Sequence, residues 1–370
     1  MKLVSSRNAL AAAFQTVAGV VPSRTPKQIL QNIKIEASPG IATLIGTDQE
    51  VAIRYRLAEA DVQQPGEMLI PTARTVAILR ELQGDSVSIE STGDATWIRG
   101  ERAEYRLGVE DPAEFPAVAE FGEKNYHTIA AGLLKQLIRR TVFATDAEST
   151  RYALGGVLID LKGDNVTFAA TDTRRLAVAR GACGMEGTPK NDNAAPVVPV
   201  KALQVIDKSL SDENEQVCVA LRSNDLLVKT ANSTIYSRLV EGRFPRYQDV
   251  IPSSSSISVD LTTGPFYSAV RQAQIVTSEE SRGVDFTFSN GLLTLKSASA
   301  EVGESKVELP ISYDAADLTI TFDPRYVAEF LRVLEPERSI KLELTDGESA
   351  AVLRTEDGYL YIIMPLSRDR

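Results

Sequence analysis

Two aspartates, Asp48 and Asp172, each follow a threonine at matching places along the chain. Paired carboxylates can exchange protons or hold a divalent metal. A multi-domain hydrolase working through Asp48 or Asp172 with a metal is therefore the enzyme alternative. Recurrence in successive stretches of similar pattern suits a side chain that caps a turn in each copy better than one shared active site. Nothing nearby completes a catalytic set. His127 is the only histidine and falls at a predicted joint, where it is discounted as a general base. Cys183 and Cys218 stand alone without a CxxC, which argues against a disulfide framework or a zinc site and fits a reducing, cytoplasmic setting. Phosphate-loop, dinucleotide, zincin and nucleophile-elbow motifs are absent. No catalytic residue, metal or cofactor is expected.

The elements that position these residues repeat three times. Each third opens with an amphipathic helix, over 5–18, 131–143 and 264–276. A strand pair around a small polar turn follows, at Leu44 to Asp48, Phe168 to Asp172 and Leu293 to Ser297. A short apolar strand then enters a proline, Pro71, Pro199 or Pro324, that is placed to start a second helix over 72–82, 200–210 or 324–334. Alternating strands close each copy at Phe115-Pro116, Phe244-Pro245 and Met364-Pro365. Pro71 and Pro199 lie 128 residues apart, and Pro199 and Pro324 lie 125 apart. The spacing predicts an α+β fold of three units, 1–124, 125–252 and 253–370, joined near Gly122–Tyr126 and the run Ser253–Ser256. No apolar stretch approaches the ~20 residues a membrane span needs. Gln15 and Thr16 interrupt the apolar N-terminal segment, so it reads as a helix rather than a leader.

A net charge of −10 argues at first against a nucleic-acid partner. The charge is unevenly placed. The six predicted helices hold eleven basic residues: Arg7, Arg74, Arg80, Lys135, Arg139, Arg140, Lys201, Lys208, Arg271, Arg325 and Arg332. They hold three acids, Glu81, Asp207 and Glu329, so the strands and loops carry the entire negative excess. A charged helix face is ordinarily just solvated. The same bias in two helices from each of three copies suggests helices on a concave inner surface that neutralises phosphates without reading bases. Few aromatics accompany these cations, so duplex DNA is favoured over stacked single strands.

Several segments resemble one family, the bacterial β sliding clamp that serves as processivity subunit of DNA polymerase III. They are Ile45-Gly46-Thr47-Asp48, Arg151-Tyr152, Ala170 to Ala177, Val240 to Pro245, Ser281-Arg282-Gly283-Val284 and Ile362 to Leu366, in order along the whole chain. The resemblance implies three clamp domains per chain and a head-to-tail homodimeric ring with helices lining the hole. It implies duplex DNA, the polymerase III alpha subunit, the clamp loader, and other polymerases and repair proteins as partners. It adds Arg24, Ser149 and Tyr152 to the DNA-contact candidates. By position Tyr105, Leu107, Ile275 and Val276 resemble the dimer contacts, although packing within their own domains explains them equally well.

The resemblance also implies a peptide-docking cleft lined by Leu154, Thr171, Thr173, Arg174, Arg175, Leu176, Pro245, Asp249, Val250, Tyr326, Ile362, Ile363, Met364, Pro365 and Leu366. Leu154, Leu176, Val250, Ile362 and Met364 would form an apolar floor, with methionine adapting to different partners. Thr173 and Arg174 stand where the family commonly has glycine and histidine, and Ser367 to Arg370 extend the usual end. Asp249 stands where some relatives carry a base, which predicts a less acidic ligand flank. A monomeric peptide adaptor without DNA is the non-enzyme alternative.

Overall fold

The computed structural model describes all residues except 59, 147, 149–152, 190–195, 280–281 and 368–370. The six helices are α1 (Arg7–Ala18), α2 (Thr72–Glu81), α3 (Ala131–Thr141), α4 (Val200–Ser209), α5 (Thr263–Ala273) and α6 (Pro324–Arg332). Each buries one stripe. Leu10, Ala13, Phe14 and Val17 do so on α1, Leu134, Leu137, Ile138 and Thr141 on α3, and Phe266, Ala269, Val270 and Ala273 on α5. All three sets follow the i, i+3, i+4, i+7 spacing that puts side chains on one face.

Helices α2, α3, α4 and α6 start at the expected residue, α5 one residue early and α1 two residues late. Residues 2–6 form a strand, and Ser6 then caps α1 by accepting a hydrogen bond from the Ala9 amide at 3.4 Å. Pro71 and Pro199 sit one place before α2 and α4 as the last residues of strands. Only Pro324 occupies the first helical turn, behind an Asp323 cap that accepts from the Arg325 amide at 3.0 Å. Proline's fixed φ suits both placements.

The chain forms two compact units, one of residues 1–135, 161–164 and 182–240, the other of 136–160, 165–181 and 241–370. In the first unit a nine-stranded antiparallel sheet combines strands from before and after the predicted joint. Strand Ser233–Arg238 pairs with Val51–Leu57 in register Ile235 to Ile53. A five-stranded sheet ends at Glu104–Leu107. Helix α1 packs on α2 and on the strands Ile41–Thr47 and Val51–Leu57. Gly46 makes that approach possible, since a Cβ there would lie 2.7 Å from Val17 Cγ1. His127 is not in a loop. It lies buried in strand Tyr126–Ala130, opposite Val219 and Met185, because the chain resumes sheet pairing immediately after the joint.

In the second unit, strands Asn165–Thr171, Arg175–Ala182, Leu360–Ile363, Ala351–Arg354, Ser339–Leu344 and Ile257–Thr262 lie in that order in one sheet. A four-stranded sheet ends at Gly303–Pro310, and α5 packs on α6. The third copy departs from the pattern at Leu293 to Ser297. No turn forms there, and the strand continues from Leu292 to Ser299. The aspartate that caps the turn in the other two copies has no counterpart beside Ser297, which instead donates to the Ala273 carbonyl at 2.7 Å. No described helix is long and apolar enough to cross a membrane.

Candidate functional site

The Thr-Asp turns are built alike. Asp48 Oδ1 accepts from the amides of Glu50 and Val51 at 2.9 and 2.7 Å, and Asp172 Oδ1 accepts from those of Arg174 and Arg175, both at 3.0 Å. Gln49 and Thr173, the residues after each aspartate, hold left-handed backbones with φ of +80° and +76°. The second oxygens are also engaged, Asp48 by Lys201 at 2.5 Å and Asp172 by Arg175 Nε at 2.9 Å. Both carboxylates therefore organise turns and ion pairs. Among the described residues, no group of three or more His, Cys, Asp or Glu side chains is placed to hold a metal.

The second of these turns forms one wall of a cavity of about 480 Å³ within the second unit. Leu176 and Ile362 face each other across neighbouring strands, and the Met364 amide donates to the Arg174 carbonyl at 2.8 Å, continuing the pairing past the strand end. A short 3-10 helix, Tyr247–Val250, supplies the opposite wall. Thr171, Thr173, Arg174, Arg175, Leu176, Pro245, Val250, Ile362 and Met364 line the cavity, and all of them were expected. Val250 and Met364 are 60% and 46% exposed, large apolar groups left open to solvent beside a buried floor.

The other six expected residues do not line it. Ile363 is wholly buried, because strand alternation turns it away from Ile362. Leu154 is buried too, and its carbonyl accepts from the Asp146 amide at 2.9 Å. Asp249 lies on the 3-10 helix outside the lining, and Pro365 and Leu366 lead away, with the Leu366 amide bonded to the Thr321 carbonyl at 2.8 Å. Tyr326 stands behind the wall, its ring 4.4 Å from the Arg175 guanidinium. Arg246 and Tyr247 line the cavity and were missed. Their place directly after Pro245, in the turn that leads to Val250, was the available signal.

Arg175 is the fixed point of this wall. Its buried guanidinium meets Asp172, Glu329 and the Phe143 carbonyl, the last at 2.6 Å. Burial alone would release its proton more easily. The neighbouring Tyr361 hydroxyl and the Glu329 and Asp172 carboxylates overcome that cost and hold it firmly charged. Arg175 thus spends its charge inside the protein and presents mainly its stem to the cavity.

The basic residues divide into two groups. Arg24, Arg74, Arg80, Arg139, Lys208 and Arg271 are exposed, as is Arg332. Several others are engaged within the chain, Arg7 Nε donating to the Gly84 carbonyl at 3.1 Å. Lys135 Nζ donates to the Leu210 carbonyl at 3.1 Å, and Lys201 Nζ to the Val20 carbonyl at 2.8 Å as well as to Asp48. Arg325 pairs with Asp323 at 2.6 Å. Arg140 corrects the sequence reading. It is only 5% exposed, ion-paired to Asp357 at 2.9 Å and 4.9 Å from the Tyr359 ring centroid, so it cannot meet a ligand. The DNA-contact candidates Ser149 and Tyr152 lie outside the described residues. Of the dimer candidates, Tyr105 and Leu107 are half-buried on the edge strand Glu104–Leu107. Ile275 is 73% exposed just past α5, and Val276 beside it is half-buried.

Comparison with known proteins places this arrangement. Family models described as the N-terminal, central and C-terminal domains of DNA polymerase III beta subunit match residues 1–119, 128–246 and 248–367. The beta sliding clamp of Chlamydia trachomatis is 30% identical over 99% of this chain and 87% of its own. That of Pseudomonas aeruginosa is 29% identical over 99% of this chain and all of its own. A crystal structure of the Pseudomonas aeruginosa sliding clamp bound to griselimycin superposes with a TM-score of 0.89, at 29% identity and full coverage of both chains. The sliding clamp of Bacillus subtilis also gives 0.89, at 28% identity, covering all of this chain and 99% of that one. The chain belongs to the DNA polymerase III beta subunit family.

Proposed function

We propose that this protein is a non-catalytic DNA sliding clamp whose cavity beside Arg175 docks short peptides from its partners. The observation that carries the reading is the succession of three domain models of one family along the whole chain, with that cavity inside it. The domains are 1–124, 125–252 and 253–370. Two copies join head to tail into a closed ring, which satisfies both copies of one interface and leaves no open end. Duplex DNA passes through, held by phosphate contacts that carry no sequence information. Arg24, Arg74, Arg80, Arg139, Lys208 and Arg271 are the contact residues this reading favours, because they are exposed. Retention is topological: a polymerase tethered to a closed ring cannot diffuse from the template although each contact is weak. The polymerase III alpha subunit, the clamp loader and other polymerases and repair proteins are the partners proposed.

Peptide capture has a plain physical basis. Each leucine or phenylalanine anchor buried over Leu176, Ile362 and Met364 contributes ~1.5–3 kcal/mol before ordering costs. That suits partners which exchange.

The test is loading onto a nicked circular plasmid by a clamp loader, followed by gel filtration. The wild type should co-elute with the circle and be released when the circle is linearised. Arg24→Ala combined with Arg139→Ala should reduce retention several-fold with an unchanged circular dichroism spectrum. Release from closed and linear plasmid at equal rates by the wild type would defeat the ring reading.

A further inference from the structure

We infer that the nine-stranded sheet carries an oxyanion site on the face opposite α1, where Arg56 and Lys229 hold a doubly charged phosphate group, free or as a monoester. The site is independent of the peptide-docking reading, whose cavity lies in the second unit.

Strand register brings the cations together. Strands Asp225–Lys229, Ser233–Arg238, Val51–Leu57 and Ile41–Thr47 are successive neighbours in the sheet. Lys229, Thr234 and Arg54 stand opposite one another in one row, and Arg56 stands opposite Thr43 in the next row on the same face. Alternation turns this set away from Gly46, against which Val17 of α1 packs.

The cavity they line has a volume of about 270 Å³ and holds three cations against one acid, Glu120. Arg54 is already neutralised, by Glu36 at 2.8 Å and Glu120 at 2.9 Å. Arg56 and Lys229 are exposed, and neither enters an ion pair among the described residues. Lys229 Nζ lies 5.9 Å from the Phe121 ring centroid, a contact that places the ammonium at the rim and leaves its charge uncancelled. Strands and loops hold the chain's negative excess, so two unopposed cations on a sheet face are a local reversal of charge.

The backbone around them is fixed before any ligand arrives. The Thr230 hydroxyl accepts from the Ser233 amide at 3.0 Å, and the Ala231 amide donates to Glu215 at 2.8 Å. The Arg56 amide donates to the Asn232 carbonyl at 2.7 Å, tying this turn to the next strand. A ligand therefore orders side chains only, which keeps its cost low. Charge then selects its class. A carboxylate or a phosphodiester brings one negative charge, whereas a phosphomonoester brings nearly two on three acceptor oxygens. The guanidinium can take two of those oxygens in parallel, and the ammonium answers the second charge.

The experiment is calorimetric titration of the full chain at pH 8 and low salt with inorganic phosphate, phenyl phosphate, diethyl phosphate and acetate. Inorganic phosphate should bind once per chain with a Kd on the order of 1 mM, and diethyl phosphate and acetate about tenfold more weakly. Arg56→Gln with Lys229→Gln should weaken phosphate about tenfold with an unchanged circular dichroism spectrum. Lys296→Gln with Lys341→Gln, which removes two exposed lysines of the second unit, should leave it unchanged. Phenyl phosphate binding as tightly as phosphate assigns the site to an ester, and weaker binding assigns it to the free ion. Equal affinity for phosphate, diethyl phosphate and acetate overturns the inference. So does full phosphate binding by the Arg56 and Lys229 variant, or an equal loss in the Lys296 and Lys341 variant.

Discussion

His127 is the chain's single imidazole and sits buried in a strand, where burial lowers its pKa below the ordinary 6.5. In the unfolded chain it protonates near that ordinary value. The unfolded state therefore binds more protons as pH falls through 6.5, and stability falls with it until the lowered folded pKa is reached. The urea midpoint should be lower at pH 5.5 than at 7.5, and His127→Gln should flatten the difference. An equal slope in the variant would mean that carboxylates, not the imidazole, set it. Sequence reading placed this histidine at a joint, because a strand that begins directly after a joint leaves little alternation to see. Arg140 is the harder case. Its neighbour Arg139 is exposed, and nothing in the run Arg139-Arg140-Thr141 says which of the two turns inward to Asp357, more than two hundred residues away. Thr173 was flagged because it occupies a position the family gives to glycine. Its φ of +76° supplies the reason, since a β-branched side chain is costly in that region.

At the scale of elements, the helices were the most legible part, because a buried stripe at 3.6 spacing leaves a periodic trace. All six occur within a few residues of their predicted bounds. The joints were least legible. The stretch Gly122–Tyr126 reads as unpatterned, yet Glu120 pairs with Arg54 at 2.9 Å, Glu123 pairs with Arg222, and Phe121 packs edge-on to Tyr126 at 5.6 Å. The two ion pairs depend on residues far along the chain and leave no local period. Between these extremes lies the seat of α1 on the sheet. Gly46 belongs to one of the segments that carried the family resemblance, and the structure shows what its lack of a side chain does. An added Cβ would stand 2.7 Å from Val17 Cγ1 and 3.0 Å from Val20 Cγ2, well inside normal contact. Gly46→Ala should cost about 1–3 kcal/mol, the usual range for overpacking a core. Val17→Ala in the same chain should return part of that loss, making the pair non-additive. Denaturant midpoints of the four proteins in the cycle decide it. Strict additivity would mean that helix and sheet do not meet as described.

For the whole molecule, two of the sheet edges bear on assembly. The five-stranded sheet ends at Glu104–Leu107 and the four-stranded sheet at Gly303–Pro310. Free edges invite pairing, and proteins that stay monomeric usually blunt them with charge. Both edges here carry charge, part of it engaged nearby: Arg106 with Asp94 at 3.3 Å and Lys306 with Glu308. Tyr105 and Leu107 lie on the first edge, and Ile275 stands largely exposed near the C-terminal end of α5, which packs on Gly303–Pro310. In the proposed ring the first edge of one copy joins the second edge of the other. Twofold symmetry makes two such junctions at once, so a substitution that weakens one weakens both. Burying Leu107 or Ile275 gives ~1.5–3 kcal/mol at each junction, and placing an aspartate there adds a desolvation cost. Leu107→Asp or Ile275→Asp should therefore convert a species of twice 40.2 kDa into one of 40.2 kDa at micromolar concentration by light scattering. Peptide binding should survive, since neither residue lines the docking cavity. DNA retention on a closed circle should be lost with the dimer. A variant that keeps the doubled mass, or a wild type that never shows it at tens of micromolar, assigns these edges to the monomer and removes the ring.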